Sequence, residues 1–472
     1  MQTQSDIRIE HDSLGDVAVP QAAYYGAQTA RAIANFPISG TPISHYPFLI
    51  RAFGYVKKAA ATANFELGDL GADKYRVILA ACDELIEGRW LSEFPIDVFQ
   101  GGAGTSVNMN TNEVVANRAL ELLGHDRGRY DLIHPNNDVN MSQSTNDVYP
   151  TALRLAVLLS YGSLSDALKG LASEMESKGR EFNTVVKLGR TQMQDAVPMT
   201  LGQEFQAFGV TLREDVERFD ELVRFFREVN LGGTAIGTGI NARPEYRARA
   251  VASLGAVTGI DFKTAPNLVE ACWDTGAFVL FSGMLKRTAT KLSKICNDLR
   301  LLSSGPRGGL NEITLPAMQP GSSIMPGKIN PVIPEVVNQV AFQVIGADLT
   351  ITLAAEAGQL QLNAMEPVIA HNLLGSLNLL TNATIVLRRE CITGITANVQ
   401  KCRDHLEQSA AAATALCPVI GYERATAIAK AVLQSGRSIR EVLAEEPNLP
   451  PGLIDIIELG ALPSSTAPLQ ST

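Results

Sequence analysis

Apolar residues recur three or four positions apart through most of the middle of the chain. Val336, Val340, Phe342, Val344, Ile345, Leu349 and Leu353 predict a helix with a wide apolar stripe, bounded on its N-terminal side by Pro334. A second such run covers 153–182, and shorter helical stretches fall at 56–67 and 77–88. From about 150 to 398 these runs are long and rich in Ala and Leu, which predicts a mainly α chain built on an elongated helical bundle rather than a sheet. The first third mixes short polar segments with Gly and Pro. After about 400, the segments 422–436 and 438–446 predict short helices in a small C-terminal domain. The expected division is therefore 1–145, 146–400 and 401–472. No strand–Gly–helix alternation marks a dinucleotide domain. GGTAIGTG at 232–239 lacks the spacing of a nucleotide-binding turn and reads as a flexible connection between helices.

At 472 residues with 46% apolar content the chain can bury a large core. Its charge, 40 − 49 = −9, leaves no basic footprint for nucleic acid. An acidic protein that binds an anion must concentrate its cations locally. Cys82, Cys272, Cys296, Cys391, Cys402 and Cys417 show no close Cys or His spacing and read as reduced thiols of a cytoplasmic protein. The N-terminus MQTQSDIRIEHDSLG has no apolar signal region, and no uninterrupted apolar run reaches the length of a membrane span. A soluble protein is expected.

The segment GSSIMPGKIN, 321–330, puts reactive residue types on a pliable backbone. Gly321 and Gly327 permit φ > 0 and let N–H groups converge on an oxyanion, while Pro326, Pro331 and Pro334 oppose regular helix. Lys328 adds a point charge and Asn330 a donor for the same carboxylate. A phosphate loop fails on spacing: five residues, not four, separate Gly321 from the Gly-Lys pair, and Ile329 follows it. A Gly/Pro-rich connection that happens to carry Ser and Lys is the plain alternative.

This loop is very similar to the signature of the aspartase/fumarase superfamily. GGAGTSVNMNTNEVVAN at 101–117 and NMSQSTNDVYPTA at 140–152 resemble the same superfamily in the same chain order. The resemblance runs from 7–29 to 394–398, with the stretch after about 400 matched loosely. It implies three parts with a central five-helix bundle, four chains forming a twenty-helix core, and active sites drawn from three subunits. It also implies reversible anti-elimination of a group β to a carboxylate. Removing the carbon-bound proton leaves an enediolate, so the site must stabilise growing negative charge. No metal or other cofactor is expected; the expected partners are a small dicarboxylate and further copies of the chain, with no nucleic acid and no membrane.

By resemblance, Ser322 is the base, and converging backbone N–H groups would activate it. Lys328 and Asn330 resemble carboxylate binders, and Thr191 another polar donor. Thr105, Ser144 and Thr145 resemble the donors that hold the β-carboxylate, and Asn146 a contact near the leaving group. SQSTND can equally cap a helix ahead of Pro150, a role compatible with binding a carboxylate. Gln192 stands where fumarases of this class carry His. A neutral amide cannot shuttle a proton to a leaving hydroxide, whereas an amine that arrives protonated needs no such acid. Gln192, Thr145 and the segment 294–316 resemble the aspartase branch, which implies elimination of ammonia from L-aspartate to give fumarate. The alternatives are hydration of fumarate, or a structural role of the kind some members serve in the lens.

Weaker expectations attach to five other positions. His134 resembles a second dicarboxylate site, or is a loop histidine capping a turn. His371 and His405 lie in helical contexts with no partner pattern. Glu335 and Glu366 either orient Lys328 or begin helices.

Overall fold

The computed structural model describes residues 7–447 and 457; the rest of the expected C-terminal domain lies outside them. A hairpin, β1 (Ile7–Asp12) and β2 (Gly15–Pro20), leads into α1 (Ala27–Asn35), α2 (Pro47–Glu66), α3 (Ala72–Ile86) and α4 (Thr105–Leu122). Then come α5 (Thr145–Glu181), the hairpin β3 (Val186–Thr191) and β4 (Gln194–Thr200), and α6 (Leu201–Leu222). Next are β5 (Glu228–Val229), α7 (Tyr246–Thr258), β6 (Lys263–Thr264), α8 (Gly276–Leu302) and β7 (Ile313–Thr314). The chain continues through α9 (Val332–Glu356), α10 (Glu366–Glu390), β8 (Thr396–Ala397), α11 (Val399–Gln408), α12 (Cys417–Ile420), α13 (Tyr422–Ser435) and α14 (Ile439–Glu445). The fold is mainly α, as its periodicity predicts. The described strands form four separate two-stranded sheets.

Two helix starts differ from the sequence expectation. α9 begins at Val332, so Pro334 lies inside its first turn, where a missing N–H costs nothing. α5 begins at Thr145 and holds Pro150 within it. Pro150 cannot donate to the carbonyl of Asn146, and that carbonyl instead accepts from Asn230 Nδ2 at 3.0 Å. A side chain thus replaces the bond that proline removes.

The chain divides into two compact units. The first comprises Met1–Leu164, Arg218–Arg287 and Gln343–Leu379. Its core includes an aromatic group, Tyr161, Phe219, Phe226, Phe278 and Phe281, on α5, α6, α8 and the turn after α6. α4 is buried on polar faces as well as apolar ones. Asn108, Asn110, Thr111, Asn112, Glu113 and Asn117 are all at most 3% exposed, which is why no amphipathic stripe marks this helix. Several of these side chains serve other backbones. The Glu113 carboxylate accepts the N–H groups of Gly26, Gln28 and Thr29 at the start of α1, and Asn117 donates to the Tyr24 carbonyl.

The second unit comprises Ser165–Glu217, Thr288–Phe342 and Leu380–Thr472. Within it α6 meets α8 through Asp215, which accepts from Thr288 and Lys291, and α8 meets α9 through Asn338, which donates to Ser293 and Asn297. A separate apolar cluster joins Val186 and Leu188 of β3 to Leu406, Leu416, Ile428, Val432 and Leu443 of the C-terminal helices. The C-terminal helices are therefore the platform of the β3–β4 hairpin.

Gly104, just before α4, has φ +88°, and a Cβ there would overlap the buried Tyr149 ring. Gly104→Ala is expected to destabilise the protein by about 3 kcal/mol or more, through overpacking and a left-handed backbone together. Denaturant unfolding would show the shift, and an unchanged midpoint would contradict this packing.

Candidate active site

In the first unit the candidate donors gather at the start of α5. Ser144 is the residue before the helix, and its Oγ accepts the Asn146 N–H at 3.3 Å, while the Ser144 N–H donates to Asp147 Oδ1 at 2.9 Å. This is a reciprocal cap, so the capping reading of SQSTND holds. The Ser144 hydroxyl hydrogen remains available to a ligand, at a helix end whose dipole favours a carboxylate. Thr145 Oγ1 accepts from Asn108 Nδ2 at 3.2 Å. Asn146 donates to the Ala235 carbonyl at 2.7 Å. Thr105 begins α4, is exposed, and its hydroxyl donates to the Gly102 carbonyl at 2.7 Å. Asn108 links Thr145 to α4, four residues along the chain from Gly104.

Asp147 is fully buried, and its second oxygen accepts the N–H groups of Gly232 and Thr234 at 2.8 and 3.1 Å. Burial pushes its carboxyl up to about 6, against three N–H bonds and the nearby Lys57, all of which favour the ionised form. The GGTAIGTG segment does connect helices, but it is not the flexible connection its composition suggests. Leu231, Thr234 and their neighbours are buried and tied to α5. Glycine composition signals permissive backbone; it carries no information about what that backbone is bonded to.

In the second unit the loop 321–330 is closed at its base. The Gly321 N–H donates to the Lys328 carbonyl at 2.7 Å, and Asn330 Nδ2 donates to the Gly321 carbonyl at 2.9 Å. Gly327 has φ +79°, as its residue type predicts. Gly321 does not adopt positive φ; it is required because a Cβ would lie 2.6 Å from the Lys328 carbonyl oxygen. The Ile324 and Met325 N–H groups converge on Ser322 Oγ at 3.2 and 3.1 Å. Those donors stabilise charge on the Ser322 oxygen, which is what a serine base needs. Ile324, 83% exposed, stands at the tip of the loop.

Lys328 and Asn330 line a cavity of about 560 Å³ together with Arg300, Asn311 and Glu335. Two cations thus face one polar hollow in an acidic protein. Glu335 lies in the first turn of α9, on the wall that also carries Lys328.

Thr191 and Gln192 sit at the tip of the β3–β4 hairpin, which the sequence reading missed because its strands lack clean alternation. Gln192 and Met193 form the two-residue turn and both have positive φ, +53° and +64°. Non-glycine residues pay strain of order 1 kcal/mol each for this geometry, so the turn must be held from below. Glu312, with no exposed side-chain surface, does that. It meets Arg190 at 2.7 Å, Lys187 at 2.9 Å and His405 at 2.9 Å, joining β3 to α11. Burial pushes the Glu312 carboxyl up, but Lys187, His405 and Arg190 more than offset it, so it lies below the ordinary value of 4.5. Asp195 on β4 accepts from Ser409 at 2.6 Å, a second tie to the C-terminal helices.

His405 therefore has a partner, contrary to its sequence reading. So does His371, whose Nδ1 lies 2.7 Å from the Tyr46 hydroxyl. His134 caps the turn after it, its Nδ1 accepting from Asn136 and Asn137, and the adjoining cavity is walled by Glu10, Asp12 and Glu113. Those carboxylates make a poor anion site of it within one chain. Glu366 begins α10, is buried, and burial pushes its carboxyl up to about 8 despite Arg154. It is the first residue of α10, the helix-start role that its position in the sequence allows.

Three residues that organise these segments escaped the sequence reading. Asp147 had a signal, the S-x-x-D cap. Lys57 had one too, since helical spacing puts it on the buried face with Phe53, Ala60 and Asn64. Glu312 had none, because its partners come from two distant parts of the chain, β3 and α11.

A family model described as Lyase matches residues 15–346, and one described as Fumarase C C-terminus matches 413–457. The tail is thus matched by a family model of its own, more firmly than its sequence suggests. The chain is 61% identical over 440 residues to an aspartate ammonia-lyase of Pseudomonas aeruginosa, covering 93% of each. It is 53% identical over 454 residues to one from Escherichia coli K12, covering 96% of this chain and 95% of that one. Among solved structures it resembles a fumarate lyase:delta crystallin from Brucella melitensis bound to cobalt, with TM-score 0.94 and 59% identity over 97% of this chain and 100% of that one. A class II fumarase from Schistosoma mansoni aligns with TM-score 0.89 and 36% identity over 96% of this chain and 98% of that one.

Glu312→Gln is expected to cost about 3–5 kcal/mol, because it leaves buried Lys187 and its neighbours short of countercharge. A lowered folded-state pKa means the Glu312 contribution is present above 4.5 and lost as pH falls below it. Thermal unfolding across pH should therefore show a weaker acid limb in the variant. Equal midpoints for the two proteins at neutral pH would contradict the role of this carboxylate.

Proposed function

The chain belongs to the lyase family, and from that membership and its 53–61% identity to aspartate ammonia-lyases along nearly its whole length we infer that it is a carbon–nitrogen lyase. It converts L-aspartate reversibly to fumarate and ammonia. The single observation that carries the reading is that this identity holds along nearly the whole length of both chains.

The local geometry supports specific roles. Ser322, its oxygen held by two N–H groups, takes the Cβ proton as an oxyanion. The electrons of that C–H bond move onto the β-carboxylate as an enediolate, held by Ser144, Thr145 and Thr105. Their return forms the Cα–Cβ double bond and expels ammonia from Cα, near Asn146. Lys328 and Asn330 bind the other carboxylate. Asn330 already spends one amide hydrogen on the Gly321 carbonyl, so a single donor and its oxygen remain. Thr191 and Gln192 contribute neutral donors from the strained turn.

Four copies assembling around a shared helical core are part of the same proposal, with each site drawn from three subunits and each chain divided near 145 and 400 around a five-helix bundle. Supporting this, α9 presents Val336, Phe342, Ile345, Leu349 and Leu353 on its surface, each at least 37% exposed. By length and composition this helix could cross a membrane, but Asp348 within it accepts from Ser282 and Lys286. That pattern fits a helix packed in protein and awaiting another copy. Cytoplasmic residence is also proposed, supported by five buried free thiols.

The test is fumarate formation by ultraviolet absorbance from L-aspartate and, separately, from L-malate, with ammonia release measured alongside. Turnover of aspartate is expected; turnover of malate alone would replace this reading with hydration of fumarate. Ser322→Ala should lower kcat by about 10²-fold or more while leaving the fold intact, as expected for loss of a general base. Full activity in that variant would remove Ser322 from the mechanism.

A further inference from the structure

Lys57 is a fully buried amine that the elimination chemistry leaves unused. It lies on α2 with no exposed surface, among the largest completely buried side chains in the protein. Its Nζ donates to Asn140 Oδ1 and to Gln143 Oε1, each at 2.9 Å. Asn140 Oδ1 also accepts from Asn108 Nδ2 at 3.2 Å, and that same Nδ2 bonds Thr145 Oγ1 at 3.2 Å. Gln143 in turn donates to the Val139 and Met141 carbonyls, each at 3.0 Å. The segment that carries Ser144 and Thr145 is laid directly over the Lys57 amine.

Two features follow from this chain of bonds. Thr145 Oγ1 is occupied as an acceptor, so its hydroxyl hydrogen is left to donate to a carboxylate. Lys57 meets two amide oxygens and no carboxylate within bonding distance among the described residues. A neutral amine has two hydrogens and satisfies both oxygens; an ammonium has a third with no acceptor there. The pocket therefore accommodates either charge state, and a nearby charge decides between them.

The charged and titratable groups around Lys57 are few. From α3 comes Cys82, whose thiol burial pushes up to about 12, so it stays neutral. Asp83 on α3 is taken by Lys58 at 2.5 Å. From α5 comes Asp147, whose oxygens already serve three N–H groups. α4 contributes the neutral Asn108, and α7 carries Tyr246, which burial keeps in the phenol form. On α7, Arg249 pairs with Glu66, at the other end of α2. None of these supplies a full countercharge, and burial pushes the Lys57 ammonium down to about 7.

We propose that Lys57 is a positioning residue whose charge is linked to the substrate: a carboxylate held by Ser144 and Thr145 stabilises the Lys57 ammonium behind them, so dicarboxylate binding takes up a proton there. The inference rests on the elimination reading only for the identity of the ligand. A free-enzyme amine that is largely neutral at pH 8 becomes charged in the complex, so uptake is largest above pH 7 and fades below it. By the same linkage, affinity for the dicarboxylate weakens as pH rises above 7, by at most about tenfold per unit.

The experiment is titration calorimetry of the full-length assembled enzyme with succinate, a dicarboxylate without an amine to eliminate, at pH 8 in buffers of different ionisation enthalpy. Uptake of about half a proton or more per site is expected for the native protein. Lys57→Arg, which stays charged in both states, should bind with no such uptake. Native protein that binds succinate with no proton uptake overturns the proposal, and this measurement needs no variant to fold. Undiminished uptake in Lys57→Arg overturns it as well. An enzyme active on aspartate but silent in proton uptake removes this inference and leaves the elimination reading standing. Uptake in an enzyme inactive on aspartate does the reverse.

Discussion

A carboxylate taken out of water must be surrounded by donors or give up its charge, and the candidate site hangs on two that meet this constraint. Asp147 gathers three N–H groups from the start of α5 and the Gly232–Thr234 loop. Glu312 gathers Lys187, Arg190 and His405 beneath the Thr191–Gln192 turn. Each converts a local sequence segment with no preferred shape of its own into a fixed arrangement of hydroxyls and amides. The cost of burial makes each arrangement cooperative, since losing one donor strands a charge in a medium that cannot solvate it.

The same economy explains how a chain of net charge −9 binds an anion. The cavity beside the 321–330 loop has two cations on its wall, Lys328 and Arg300, while many others are held in ion pairs, as Arg118, Lys187 and Arg213 are. Elsewhere the donors are neutral. Hydroxyls at a helix start and N–H groups around a serine oxygen give directional stabilisation without fixing a counter-ion that would hold the product.

The helices were legible because apolar spacing survives across many turns, as in α5 and α9. Their starts were less so: Pro150 and Pro334 looked like boundaries, yet Asn230 replaces the bond that Pro150 removes, and Pro334 sits where no bond is missing. The loop 321–330 was legible as a loop, and the N–H groups on Ser322 match its chemistry. The role of Gly321 was not, because close approach of the Lys328 carbonyl is a tertiary fact. The strands of the β3–β4 hairpin lack clean alternation, and the partners of His371 and His405 lie far from them in the chain, where no local pattern encodes them. Lys57 belongs to no motif, and only its phase with Phe53 and Asn64 on α2 betrays burial.

Thr145 belongs to the first compact unit and Ser322 to the second, and the account holds that a working site joins such segments from different subunits. Subunit exchange tests this directly. Ser322→Ala and Thr145→Ala chains, each inactive alone, would be dissociated, mixed in equal amounts and reassembled. Random assembly predicts recovery of up to about a quarter of native aspartate turnover, because some sites then draw both segments from intact copies. If the two residues instead act from one chain, every site in the mixture carries a defect and activity stays at the level of the separate variants, which would contradict the account.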